Sequence, residues 1–106
     1  MNRKESINEL VKRIAREFHP QRIILFGSSA SGTSAKDSDV DLLVIIPTGG
    51  SGLRKAAEIM NKISPRIPVD LIVRDPEEVH RRLKANDFFL KEVFEKGKVL
   101  YASTDG

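Results

Sequence analysis

The chain contains no cysteine, which excludes both a disulfide framework and a thiolate-held metal. It has no apolar run near the roughly 18 residues a membrane span requires. Its first residues, "MNRKESINEL", lack the apolar core of a secretory signal. These absences make a cytoplasmic protein with no membrane partner the expectation. Strong charge of one sign is missing as well. The net charge is +3, with acids and bases mixed along the chain, so a dedicated nucleic-acid groove is not indicated. Internal repeats and low-complexity segments are also absent.

What is present is the composition of an ordinary globular protein, 40% hydrophobic and 31% charged over 106 residues. That length suits one modest core and is too short for two, so residues 1–106 are expected to form a single domain. Ile7, Leu10, Val11, Ile14 and Phe18 recur at helical spacing and predict a helix over about 5–18. "RIILF" (22–26) is a short strand cut off by Gly27. "VDLLVII" (40–46) is apolar at both alternating sets of positions, as in a central strand covered on both faces. "PTGGSG" (47–52) reads as a loop and Leu53–Ser64 as a second long helix. "PVDLIV" (68–73) is a third strand, with Pro68 tolerated at its start. A short helix opens at Asp75-Pro76 and runs through Leu83. Another covers 87–97, with Gly97 in the capping position, and "KVLYA" (98–102) forms a last strand or extension. The class is α/β (α+β), a small mixed β-sheet with helices packed on it.

The chemistry gathers in "FGSSASGTSAKDSDVDLLVII" (26–46). Asp39 and Asp41 are two apart, so on a strand both point to one face. Two such carboxylates repel, at about 4 kcal/mol for a ~4 Å separation and an effective dielectric near 20. A divalent cation removes that cost by taking oxygen ligands. Taken alone, the pair fits a turn cap beside a solvated acid equally well. Asp70 adds a third carboxylate inside an apolar run, where an acid is rare unless it is paired or binds metal. If strands 40–46 and 68–73 are neighbours, Asp70 can face the pair. Three carboxylates on one face suit two-metal phosphoryl transfer. Gly27-Ser28 follows a strand directly, and small residues there let backbone N–H groups and a hydroxyl approach phosphate oxygens.

Two rival motifs fail. "GSSASGTS" (27–34) nearly fits a P-loop, but Thr33 stands where the lysine should be. "DSDVD" (37–41) begins like a calcium loop, but Leu42 replaces the required glycine and Thr48 the bidentate glutamate.

The combination of "GS" at 27–28, "SDVD" at 38–41 and Asp70 resembles the minimal nucleotidyltransferases of the DNA polymerase β superfamily, antitoxin-type (MntA-like), over nearly the whole chain. The resemblance implies the palm-like nucleotidyltransferase fold of that superfamily. It implies that Asp39 and Asp41 bind two Mg²⁺ ions, that Asp70 completes the catalytic set and serves as base, and that Gly27 and Ser28 hold the triphosphate of ATP. It further implies an antitoxin that transfers AMP to a tyrosine of a HEPN-type toxin. A binding module that neutralises its partner by occupancy, and a transferase acting on a small hydroxyl compound, are the alternatives. His19 and His80 read as structural or merely exposed. The basic residues of 74–98 read as a solvated helix face. Phe88 points away from the face shared by Phe89, Leu90, Val93 and Phe94.

Overall fold

The computed structural model describes residues 2–31 and 39–104. Gly32, Asp37 and Ser38, which entered the motif reading, lie outside the described residues. Helix α1 (Arg3–Phe18) starts two residues before the expected residue 5 because Asn2 caps it, its side chain accepting from the Glu5 N–H at 2.9 Å. It ends where His19 turns left-handed, at φ 52°, and donates its N–H to the Ala15 carbonyl. Pro20 cannot extend the helix. The chain then enters β1 (Arg22–Phe26), a short helix α2 (Ser28–Ser31) and β2 (Val40–Ile45).

Helix α3 (Gly52–Ile63) is capped by the Ser51 hydroxyl, which accepts from the Arg54 N–H at 3.1 Å. Strand β3 (Val69–Arg74) leads into α4 (Pro76–Lys84), then α5 (Phe88–Lys96) and β4 (Lys98–Ala102). Asp75 caps α4 by accepting from Glu77 N–H at 3.1 Å, and it also accepts from Thr48 N–H at 3.1 Å. One carboxylate thereby ties the loop after β2 to the start of α4. The final segment is a true strand, paired antiparallel with β1 through a register shift between Ile23 and Ile24.

The four strands lie in the order β3-β2-β1-β4, with β2 parallel to β3 and the other pairs antiparallel. Strand β2 is therefore internal, and period-2 alternation sends its residues to two separate cores. Val40, Leu42 and Val44 pack with Ile7, Leu10 and Ile14 of α1 and Ile59 and Ile63 of α3. Leu43 and Ile45 pack with Ile24 of β1, Val79 of α4, and Leu90 and Val93 of α5. This mixed sheet, covered by helices on both faces, is the class read from the sequence.

Gly97 does occupy the capping position, its N–H donating to Val93 O at 2.8 Å. Its backbone, however, is extended, at φ −77°, rather than left-handed. Glycine is needed there for space. A Cβ would overlap the Val93 carbonyl and lie 2.8 Å from the Ile24 side chain. Among the described residues, no helix is long and apolar enough to cross a membrane.

Candidate active site

Strand β1 stops because Gly27 takes φ +74°, a left-handed conformation that residues with a Cβ adopt at a cost. Helix α2 begins at the next residue, Ser28, and the turn closes with Ala30 N–H donating to Gly27 O at 3.2 Å. Strand β2 starts one residue after Asp39. In the sheet register, Asp41 stands opposite Phe26 of β1 on one side and Asp70 of β3 on the other. Asp41 lies on the same side of β2 as Leu43 and Ile45, and Asp70 on the same side of β3 as Ile72, so both acids belong to the α4/α5 face. The condition set by the sequence is met: strands 40–46 and 68–73 are neighbours, and in-register positions on adjacent strands are about 4.8 Å apart.

The electrostatics follow from this crowding. Asp41 is half-buried, whereas Asp39 and Asp70 are exposed. The Asp41 carboxyl is pushed above its ordinary range, first by partial burial, then by the charge of Asp70, then by that of Asp39. The ion pairs among the described residues use other acids, namely Glu17, Glu58, Glu78, Asp87 and Glu92. None of these pairs involves Asp39, Asp41 or Asp70.

Gly27 and Asp41 also constrain each other. A Cβ built on Gly27 would overlap the Asp41 Oδ2 and lie 3.2 Å from its Cγ. The absent side chain leaves a cradle in which the turn backbone and the carboxylate stand side by side. Among the described residues, no group of three or more His, Cys, Asp or Glu is placed to hold a metal ion, so Asp39, Asp41 and Asp70 are not gathered into the three-carboxylate metal set expected from the sequence. The neighbouring carboxylates of Asp41 and Asp70 are groups of the kind that hold a divalent cation when water and substrate phosphate complete its shell. The uncompensated repulsion at Asp41 and the room at Gly27 suit a cation bound together with a phosphate chain.

Residues 7–100 match the model of the nucleotidyltransferase domain family. The chain belongs to that family. It is 29% identical over 105 residues to MJ0604 of Methanocaldococcus jannaschii, a proposed protein adenylyltransferase, covering 95% of this chain and 100% of that protein. A proposed nucleotidyltransferase from Sulfolobus solfataricus has a similar structure, with a TM-score of 0.66 at 22% identity over 96% of this chain and 82% of that one. A toxin–antitoxin crystallised with AMP-PNP aligns with a TM-score of 0.56 at 22% identity, covering 92% of this chain and 75% of that one. A double Asp-to-Glu mutant of the toxin–antitoxin MntA–HpeT gives 0.55 at 20% identity with the same coverages. The mixed sheet with its flanking helices is thus a nucleotidyltransferase fold.

The remaining sequence readings divide. His19 and His80 are exposed. Arg74 and Arg82 both pair with Glu78, and Lys96 pairs with Glu92, as on a solvated helix face. Phe88 is 80% exposed, as its helical position predicts, but Phe89 is 39% exposed rather than part of the sealed face. The sequence also gave no reason to attach Phe26 to the site. Its only signal was its place beside Gly27, and the register partner that matters lies fifteen positions along the chain.

Proposed function

We propose that this nucleotidyltransferase moves AMP from ATP to a hydroxyl of a partner protein, a tyrosine of a HEPN-type toxin, and so acts as an antitoxin in the cytoplasm. The observation that carries the reading is the in-register pairing of Asp41 with Asp70 beside the Gly27 turn. The name of the M. jannaschii relative supports protein as acceptor. The toxin–antitoxin complexes among the structural relatives indicate where a partner is to be sought.

In this reading Asp39 and Asp41, with Asp70, would hold two Mg²⁺ ions. When bound, these supply positive charge to the triphosphate and to the leaving pyrophosphate. Gly27 and Ser28 hold the phosphates through backbone N–H groups and a hydroxyl. Asp70, exposed on β3, accepts the proton of the attacking hydroxyl. The acceptor oxygen bonds to the α-phosphorus as the bond from that phosphorus to the bridging oxygen breaks. Pyrophosphate leaves, and AMP stays on the acceptor.

The test is the intact mass of the partner protein co-expressed with the wild type and with Asp41→Asn. Addition of AMP by the wild type alone, with pyrophosphate release in vitro, is expected. A partner left unmodified but still neutralised by both forms would replace the enzyme with a binding antitoxin. Label from ATP accumulating on a small hydroxyl compound or on RNA ends would move the acceptor elsewhere.

A further inference from the structure

Beside the Gly27 turn, between the end of β1 and the middle of α5, lies an open slot of about 370 Å³, within the size range of small-molecule sites. Phe26, Phe89 and Val93 give it mostly apolar walls, Gly27 forms part of its lining, and Glu92 and Lys96 stand at its rim. Phe26 and Phe89 meet edge to face, with ring centroids 5.5 Å apart and planes at 85°. Such a contact fixes a ring while covering at most one of its faces. Phe89 accordingly remains 39% exposed, although Leu90 and Val93 of the same helix are 1% and 3% exposed.

We propose that this slot receives the nucleobase of the bound nucleotide, stacked on Phe89. The inference rests on the reading of Gly27 and Ser28 as the triphosphate turn. Three observations favour the base over other occupants. The slot shares Gly27 with the turn, so a nucleotide anchored there reaches it without crossing the sheet. In the same reading the acceptor meets Asp70, and strand order sets the slot away from it. Asp70 stands on β3, on the far side of β2 from Gly27, which is roughly 10 Å at the usual strand spacing. Finally, the rim charges neutralise each other, with Lys96 Nζ 3.5 Å from Glu92 Oε1. Apolar aromatic walls with a balanced polar rim suit a flat heterocycle carrying donors and acceptors on its edge, and suit a phosphate poorly.

The experiment compares calorimetric titrations of the full chain with Mg-ATP and with magnesium tripolyphosphate, which has the phosphates but no base. Loss of a stacking ring typically costs from about fivefold to somewhat over a hundredfold in affinity. Phe89→Ala should weaken Mg-ATP about tenfold or more and change tripolyphosphate by less than about twofold. Phe89→Leu keeps the apolar bulk, guards against misfolding, and should weaken Mg-ATP to an intermediate degree. Phe88→Ala, on the exposed side of α5, should change neither.

Equal loss of both ligands would make Phe89 a support for the turn and overturn the proposal. Unchanged Mg-ATP affinity with lost transfer to the partner would give the slot to the acceptor and overturn it likewise. Wild type that binds ATP through Phe89 yet ignores tripolyphosphate would sink the triphosphate turn while the base slot stands. Wild type blind to both ligands would remove the two together.

Discussion

Replacing Gly27 by alanine carries two separable costs. At φ +74° a residue with a Cβ enters the left-handed region, at about 1–2 kcal/mol. The new Cβ would also overlap Asp41 Oδ2, so the carboxylate must leave its present orientation. A displacement of roughly 30° from a rotamer well costs about 0.5–1.5 kcal/mol. Together these give ~1.5–3.5 kcal/mol, and at about 5 °C per kcal/mol for a domain of this size the Tm falls by roughly 8–18 °C.

Gly49 supplies the control. Its φ is +68°, with nothing within 4 Å of a built Cβ, so Gly49→Ala meets the backbone cost alone, about 5–10 °C. A double-mutant cycle with Asp41→Ala isolates the overlap. Gly27→Ala on the Asp41→Ala background should cost no more than Gly49→Ala does in the wild type. Unfolding is followed thermally in chelator and then with Mg-ATP, whose stabilisation Gly27→Ala should remove. If Gly27→Ala and Gly49→Ala are equally destabilising, and Mg-ATP still stabilises both, the close approach of turn and carboxylate is irrelevant to binding.

Asp39→Asn removes one of the charges that repel Asp41, so it should raise the Tm in chelator and lose stabilisation by Mg-ATP; a lower Tm in chelator with that stabilisation intact would discard the metal reading. Asp70→Asn should bind Mg-ATP within about tenfold of wild type and slow transfer by ~10²–10⁴, measured by titration and single-turnover assay on one preparation. Asp87 caps α5, and its carboxyl is held below the ordinary 3.8 chiefly by the Leu90 N–H it accepts, with Arg82 assisting. A depressed acid stabilises the fold above its unfolded value and loses that contribution as pH falls through the folded one. Asp87→Ala should therefore lower the urea midpoint at neutral pH, and the gap from wild type should close in acid. A pH-independent gap would show that the carboxylate charge contributes nothing at this cap.

Much of the secondary structure was legible because local patterns dictate it. Asn2, Ser51 and Asp87 accept from backbone N–H groups at helix starts, and such caps shift a boundary by one or two residues without altering the helix. The need for glycine at position 97 on grounds of space escaped sequence reading because part of the crowding comes from Ile24 and Leu25, residues more than seventy positions away. The exposure of Phe89 escaped for the same kind of reason. Helical periodicity assigns a face, and only packing against β1 shows where that face is left open.

By itself the sequence determined that Asp41 shares its side of the strand with Leu43 and Ile45, since side-chain direction alternates with a fixed period; Asp39, which the same reading set on that strand, precedes its first residue, Val40. The sequence also determined that β2 is covered on both sides, and that a small-residue turn follows β1. Tertiary structure alone decided that Asp70 lies beside Asp41 rather than one residue out of register, where its side chain would face the opposite core. Tertiary structure also brought Gly27 against the Asp41 carboxylate and set Phe26 against Phe89 in the slot next to it. Those relations join segments far apart in the chain. They depend on strand order and pairing register, which no local repeat of residues encodes.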